Sequence, residues 1–354
     1  MISGLSKRAF APSNARYVLR STNVSKRSFS FSSFSWFGSS GSSSSSSSAS
    51  AAASAAAGAA TAAAINGNIS IPSLFNYDIA VAYQPKDREE TNLFKKNSKK
   101  TTPAQESPTG EDNLFVSEPR NGYLALGVAD GVGGWSEAGY DSSAISRELC
   151  NAMKVAFEQD VVKSPKELLS TAFKNILSSP KVEIGGTTAC LGVLSPDNKL
   201  EVANLGDSWC GVFREHKLVH ETNFQTHNFN TPYQLAKIPR HILREAELQG
   251  RRYIIDSPDM ADVYSWNLKK DDVIVFATDG VTDNIVPGDI EIFLKDNESA
   301  PLDSLTSLFV SKVVGLSKDV NYPSAFAQEL SRLTGQKYLG GKEDDITVVF
   351  AKVK

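Results

Sequence analysis

Hydrophobic positions recur with two different spacings along the chain. Apolar residues repeated every three or four positions indicate one helix over 145–156 and a second after the capping sequence Ser-Pro-Lys-Glu at 164–167. The second helix is predicted to bury Leu169, Phe173 and Leu177. Short, nearly continuous apolar runs, which are typical of buried β-strands, occupy residues 123–130, 187–194, 273–278 and 346–353.

Weaker patterns fill the sequence between these segments. Further strands are predicted at 76–83, 113–116, 200–205, 209–213, 218–222 and 263–268, and further helices near 288–295, 301–316 and 322–334. The short link 269–271 predicts a hairpin between the strands on either side of it. Runs of strands followed by runs of helices predict an α+β fold, in which helices cover antiparallel sheets.

The N-terminal part has a different composition from the rest of the chain. Residues 1–77 contain six Lys or Arg and no Asp or Glu, and 39–64 are almost entirely Ser, Ala and Gly. An acid-free, Arg- and Ser-containing start is typical of a mitochondrial transit peptide, and no continuous apolar core follows that would favour secretion. We predict a transit peptide at 1–38, a disordered Ser/Ala-rich linker at 39–74 and a folded domain at 75–354. A basic tail without a targeting role is the alternative.

Charge and cysteine content exclude several classes of function. The formal net charge is -3, and loss of the basic leader would leave a more acidic domain, so nucleic acid is not a predicted partner. Residues 51–65 are shorter and less apolar than the roughly 20 residues that a membrane span needs, so a membrane anchor is disfavoured. Cys150, Cys190 and Cys210 are far apart in apolar surroundings and predict reduced core thiols rather than disulfides or a zinc site.

Carboxylates recur where apolar runs begin or end. Asp130 ends one run and precedes three glycines within four positions, Asp279 follows another run, and acidic pairs at 111–112 and 344–345 precede strands. A single Asp-Gly pair is most simply a turn. If these strands are neighbours, however, the acids converge at one edge and repel one another unless metal ions neutralise them. Oxygen ligands without the soft ligands that zinc prefers indicate Mg²⁺ or Mn²⁺.

Six short motifs together resemble a known family. They are Gly-Glu-Asp at 110–112, Val-Ala-Asp-Gly-Val-Gly-Gly at 128–134, Gly-Thr-Thr-Ala at 186–189, Asn-Leu-Gly-Asp-Ser at 204–208, Ala-Thr-Asp-Gly-Val-Thr-Asp-Asn at 277–284 and Asp-Asp-Ile-Thr at 344–347. Their order and spacing are similar to those of the type 2C metal-dependent protein serine/threonine phosphatases, and Asn-Phe-Asn-Thr-Pro at 228–232 and the leader resemble the mitochondrial branch. The resemblance implies two antiparallel β-sheets packed as a sandwich, with helices on both outer faces.

The resemblance also implies how two core Mg²⁺ or Mn²⁺ ions are held. Asp130 would bridge the two ions, the carbonyl oxygen of Gly131 would complete the shell of one, and Asp279 and Asp344 would hold the other. A water between two such ions has a lowered pKa and can attack phosphorus directly. No phosphoenzyme is then needed.

Four further acids match supporting positions of the family. Glu111 and Asp112 would act mainly through metal-bound waters, and Asp207 and Asp283, together with Asp279, match a third and weaker metal site.

The sequence departs from the commonest family pattern in two places. Val132 stands where many members carry a histidine that protonates the leaving group, and no arginine lies a few residues before Glu111, where many members bind phosphate. His227, in a polar loop that could fold over the cleft, is the candidate general acid, and metal-bound water is the alternative.

These observations predict an enzyme that hydrolyses phosphoserine and phosphothreonine in mitochondrial proteins. The family resemblance points to phosphoproteins of the matrix as substrates, namely metabolic enzymes and among them those of coenzyme Q biosynthesis. Two alternatives stay open at this point. One is a noncatalytic module that retains the fold, and the other is a metal-dependent hydrolase of small phosphorylated metabolites.

Overall fold

The structure, a computed structural model, describes residues 76–87, 107–159 and 164–354. The predicted transit peptide at 1–38 and the linker at 39–74 lie outside these residues. Within the described segments no helix combines the length and the apolar character that crossing a lipid bilayer requires.

The predicted strands and helices follow one another along the chain in the predicted order, with several short elements in addition. The strands are β1 (Tyr77–Gln84), β2 (Asp112–Val116), β3 (Leu124–Asp130), β4 (Gly185–Thr187), β5 (Ala189–Leu194), β6 (Lys199–Leu205), β7 (Trp209–Arg214), β8 (Lys217–Glu221), β9 (Thr226–Asn228), β10 (Thr231–Pro232), β11 (Leu235–Lys237), β12 (Asp262–Asn267), β13 (Val273–Ala277) and β14 (Ile346–Val353). The helices are α1 (Gly134–Glu137), α2 (Ser143–Gln159), α3 (Pro165–Ser178), α4 (Arg240–Leu248), α5 (Asp279–Thr282), α6 (Pro287–Asp296), α7 (Leu302–Ser317) and α8 (Ala325–Thr334).

Ten of the described strands form two five-stranded antiparallel sheets. Their orders are β1-β14-β13-β7-β8 and β12-β6-β5-β3-β2. Leu126 and Val202 of the second sheet pack against Phe276 and Val349 of the first in a shared buried core. Gly192 allows this close approach, because a Cβ there would lie 2.7 Å from Cζ of Phe276. The predicted sandwich of antiparallel sheets is confirmed.

Helices cover both outer faces of the sandwich. Apolar side chains of α2 and α3 pack on the sheet that contains β3, while α6 and α7 pack on the sheet that contains β13. Helix α3 begins as predicted, since the Ser164 side chain accepts a hydrogen bond from the backbone nitrogen of Glu167. The prediction for Leu177 is wrong. Leu177 is 51% exposed and Ile176 is 2% exposed, because the buried stripe of the helix runs through Leu169, Phe173 and Ile176.

The predicted hairpin between β12 and β13 does not form. β12 pairs with β6 in one sheet, whereas β13 pairs with β7 and β14 in the other. Leu268, just after β12, donates a backbone hydrogen bond to Asn198, which directly precedes β6 of the second sheet. The buried Asp272 accepts two hydrogen bonds, of 2.9 and 2.7 Å, from Arg214 of β7 in the first sheet. The short link therefore crosses from one layer of the sandwich to the other.

The segment after β8, in which the sequence predicts a polar loop around His227, contains secondary structure of its own. It carries the short strands β9, β10 and β11 and the helix α4. β11 pairs with β4, and Thr187 in β4 in turn forms a bridge with Gly131. This segment is therefore attached through β4 to the loop that follows β3.

Candidate active site

Strand ends bring the predicted carboxylates to one edge of the sandwich. Asp112 begins β2 and Asp130 ends β3, and the two are direct partners across these antiparallel strands. Asp279 begins α5 two residues after β13, and Asp344 lies two residues before β14, the antiparallel neighbour of β13. A hydrogen bond of 2.7 Å from Thr278 Oγ1 to Asp112 Oδ2 joins the two sheets at this edge.

The turn after Asp130 is held by backbone and threonine contacts. Asp130 donates its backbone N–H to Thr188 Oγ1 at 3.1 Å, and Thr187 Oγ1 donates to the carbonyl oxygen of Asp130 at 2.9 Å. Gly131 donates its N–H to the carbonyl oxygen of Glu111 at 3.1 Å. A Cβ on Gly131 would lie 2.6 Å from that same oxygen. The Gly-Thr-Thr-Ala motif therefore positions the aspartate, and glycine is required beside it.

Asp345 positions Glu111, although the sequence had assigned only its neighbour Asp344. Oδ2 of Asp345 accepts the backbone N–H of Glu111 at 2.8 Å, and the Glu111 side chain accepts from Ser142 Oγ at 2.5 Å. Gly110 has a φ of 73°, and a Cβ there would lie 2.1 Å from Asp345 Oδ1. The Gly-Glu-Asp motif thus needs its glycine both for backbone conformation and for space.

Burial and mutual repulsion raise the pKa of several of these carboxyl groups. The pKa of Asp130 lies well above its usual range, first because of burial and then because of the charges of Asp279 and Asp112. Burial followed by neighbouring carboxylates also raises the pKa of Asp112 and of Asp207. Burial raises the pKa of Asp283 to about 7. The fold therefore crowds negative charge at a place where cations would be favourable.

Two lysines that the sequence did not predict lie within this cluster. Lys342, which is only 7% exposed, places Nζ 2.8 Å from Asp279 Oδ2, against Asp283 Oδ2, and 3.6 Å from Asp344 Oδ2. Lys86 places Nζ 2.8 Å from Asp344 Oδ1 and 3.1 Å from Glu111 Oε2, and its side chain is 29% exposed. Burial opposes ionisation of Asp344, but Lys342 and Lys86 outweigh it and lower the pKa of this carboxyl group.

The donor set suits a hard divalent cation. Carboxylate oxygens are the ligands that Mg²⁺ and Mn²⁺ prefer, and such ions would offset the repulsion between Asp112, Asp130 and Asp279. As the side chains stand, no three His, Cys, Asp or Glu residues of the described segments are arranged to hold an ion. Lys86 and Lys342 supply positive charge there instead. The fold brings the predicted ligands together, while ion binding by them stays a prediction.

His227 lies in the loop that reaches the site but has another partner. Its Nε2 atom is 2.9 Å from Asp256 Oδ2, and its ring stacks on Tyr233 with ring centroids 4.3 Å apart. Three residues further on, Asn230 Oδ1 lies 3.3 Å from Lys342 Nζ, so the β9–β10 hairpin contacts the edge of the cluster. The role of His227 as a general acid therefore stays a prediction.

Known proteins resemble this chain in sequence and in structure. A sequence model of the family described as Stage II sporulation protein E (SpoIIE) matches residues 120–354. "Protein phosphatase 2C homolog 7, mitochondrial" of Saccharomyces cerevisiae is 53% identical over 289 residues, which are 79% of this chain and 83% of that protein. "Protein phosphatase PTC7 homolog" of Homo sapiens is 36% identical over 250 residues, 69% of this chain and 79% of that protein. The X-ray structure of the photosystem II phosphatase PBCP superposes with a TM-score of 0.63 at 27% identity, covering 78% of this chain and 99% of that chain.

Proposed function

Because this chain belongs to the protein phosphatase 2C family of metal-dependent serine/threonine phosphatases, we propose that it dephosphorylates phosphoserine and phosphothreonine in mitochondrial proteins by means of two divalent cations. The observation that carries the proposal is the convergence of Asp130, Asp279 and Asp344 at one edge of the sandwich. Retention of all three acids argues against a module that keeps the fold without catalysis.

Each core residue has a distinct part in this proposal. Asp130 would lie between the two Mg²⁺ or Mn²⁺ ions, with the carbonyl oxygen of Gly131 on one ion and Asp279 and Asp344 on the other. Glu111 and Asp112 would orient water around them. When bound, the ions supply an activated water and offset the negative charge of the phosphoryl group. The protein's contribution is to hold these carboxylates at fixed positions.

The proposed location is the mitochondrion, and within it the matrix. The acid-free leader supports this location, and so does the name of the yeast relative. Phosphoproteins are then the partners, and we extend the proposal to matrix metabolic enzymes, including those of coenzyme Q biosynthesis. No nucleic-acid partner and no membrane anchor form part of the proposal.

Phosphate release by the purified chain tests the function directly. With Mn²⁺ or Mg²⁺ present, we expect turnover of phosphoserine and phosphothreonine peptides, complete loss of activity after chelation, and recovery when either ion is added back. Phosphorylated metabolites assayed at the same concentrations serve as the control. Faster turnover of metabolites than of peptides would favour the metabolite hydrolase, and ion binding without turnover of either would favour the noncatalytic module.

Lys86 is our candidate for the role of the arginine that the sequence lacks before Glu111. Its ammonium group lies against Glu111 and Asp344 and stays partly exposed, so we propose that it binds the phosphate group of the substrate. A hydrogen bond to a charged group contributes about 1.5–3 kcal/mol, which corresponds to roughly a 10- to 100-fold effect. Lys86→Ala is expected to raise KM for phosphopeptides and the inhibition constant of inorganic phosphate by about this factor.

Two variants define the controls for Lys86. Lys86→Arg keeps the charge and should retain phosphate inhibition. Lys318→Ala removes an exposed lysine that is paired with Asp87 and should change neither constant. A fall in kcat with unchanged phosphate inhibition would show that Lys86 supports the carboxylates without touching the substrate.

A further inference from the structure

The ammonium group of Lys342 is surrounded by oxygen atoms. Besides Asp279 Oδ2 and Asp283 Oδ2, it lies 3.3 Å from Asn230 Oδ1 and 3.6 Å from Asp344 Oδ2. Four oxygen atoms from three segments of the chain thus face one cation, since Asp279 and Asp283 both belong to the segment around α5. A shell of carboxylate and amide oxygens is also the environment that a hard metal ion prefers.

The backbone of Lys342 is fixed in place. Asn284 Nδ2 donates to the carbonyl oxygen of Lys342 at 2.8 Å, and Lys342 donates its N–H to Asn284 Oδ1 at 2.9 Å. Gly341 passes so close to α7 that a Cβ would lie 2.2 Å from the carbonyl oxygen of Leu316. The lysine is therefore held at a defined point rather than resting on the surface.

The side chain of Lys342 is enclosed as firmly as its backbone. Its ammonium lies 5.3 Å from the centroid of the Phe326 ring, which in turn packs against Phe229 of the β9–β10 hairpin at a centroid distance of 4.9 Å. Its low exposure and its carboxylate partners make it a buried, paired charge. Removal of one member of such a group leaves the others without compensation.

The carboxylates that Lys342 contacts are those expected to hold the third, weaker metal ion. Asp279 and Asp283 belong to that set, and Lys342 uses the Oδ2 atom of each. A divalent ion at the same oxygens would be repelled by the ammonium group, because like charges at such short range interact strongly inside a protein. Asp279 would then reach a core ion through its other oxygen, Oδ1.

We propose that Lys342 is a built-in cation that takes the place of the third divalent ion, so that the enzyme binds two ions per chain and not three. Asp207, the remaining member of the expected set, has a buried Oδ1 atom without a hydrogen-bond partner in the described residues, and Lys342 makes no ion pair with it. This inference rests on the proposed function, since it takes the two core ions as given.

The test is the number of Mn²⁺ ions bound by the full chain, measured by equilibrium dialysis and elemental analysis. Wild-type protein is expected to bind two ions at saturation. Three would overturn the inference, whereas fewer than two would contradict the proposed two-ion function. Asp207→Asn should also bind two, because its carboxylate holds no ion of its own, and a loss of one ion in this variant would count against the proposal.

Removal of the lysine charge should create the missing site. Methionine has an unbranched, uncharged side chain of similar length, so Lys342→Met is expected to bind three Mn²⁺ ions. Lys342→Arg keeps the positive charge and is expected to bind two. Lys352→Met, which removes a half-exposed lysine from β14, is the matched control and should bind two ions. Circular dichroism with Mn²⁺ present establishes that each variant is folded. A folded Lys342→Met protein that still binds two ions would overturn the inference.

Discussion

Asp130→Asn should abolish phosphopeptide hydrolysis, and added Mn²⁺ should not restore it. The substitution keeps the volume of the side chain but removes the charge proposed to lie between both core ions. Metal ions contribute several kcal/mol to stabilisation of the transition state, so the loss in kcat should be about 10³-fold or more. The measurement is kcat on a phosphoserine peptide across a titration of Mn²⁺.

The same variant should be at least as stable as wild type when ions are removed. Burial and repulsion raise the pKa of Asp130, so at neutral pH its ionised form destabilises the ion-free fold relative to the unfolded chain, and this cost disappears as pH falls through the raised pKa. Asparagine removes that cost at neutral pH. Urea unfolding after chelation therefore separates loss of catalysis from loss of folding. The control is Asp262→Asn, at an exposed position of β12, which should change neither kcat nor the stability of the ion-free protein. Near-full metal-dependent activity of Asp130→Asn would show that this aspartate is not central.

His227→Ala should slow hydrolysis of a phosphoserine peptide far more than hydrolysis of p-nitrophenyl phosphate. A general acid typically contributes about 10²- to 10⁴-fold, and the benefit shrinks when the leaving group needs no proton. The side chain of Val132 has no acidic proton to donate, and its backbone N–H donates a hydrogen bond to the carbonyl oxygen of Gly186. The ratio of kcat values on the two substrates is the measurement.

The contact of His227 with Asp256 suggests an alternative to general acid catalysis, in which the histidine has a structural role. If the histidine acts only by holding Asp256 and the loop in place, its loss should slow both substrates equally. His241→Ala, at an exposed position on α4, is the control and should leave the ratio unchanged. No loss on either substrate would point to water as the source of the proton.

The parts of the site that sequence could predict are those tied to strand ends. A carboxylate at either end of an apolar run lies at the edge of a sheet, and this rule located Asp112 before one run and Asp130 and Asp279 after two others. Antiparallel pairing then decides which ends meet. The rule works because burial of alternating or continuous apolar residues fixes both the length and the register of a strand.

The two lysines could not be found by the same rule. Lys342 stands in the run Lys-Glu-Asp-Asp, which is typical of solvated surface, and Lys86 follows β1 with no neighbouring motif. Their role depends on contacts with Asp283, 59 residues away, and with Asp344, 258 residues away. The one available signal was indirect, since acids converging at strand ends need positive charge from some source.

The prediction of a hairpin between β12 and β13 was wrong for a related reason. A short connection normally joins neighbouring antiparallel strands, and local sequence favours that outcome here. The choice of sheet is made by distant partners, with β6 holding β12 and with Arg214 of β7 holding Asp272 before β13.

The burial of Leu177 was predicted wrongly because the buried face of α3 depends on how the helix lies on its sheet.

The burial of the three cysteines bears on how this enzyme responds to peroxide. Cys150 lies on the buried face of α2, and Cys190 and Cys210 lie between the sheets. Burial raises the pKa of all three thiols. Peroxide oxidises the thiolate form, so none of the three buried cysteines offers it a reactive thiol in the folded protein. Hydrolysis by carboxylates and metal ions needs no thiol either. Dephosphorylation by this enzyme should therefore continue during an oxidative burst that silences phosphatases with a catalytic cysteine.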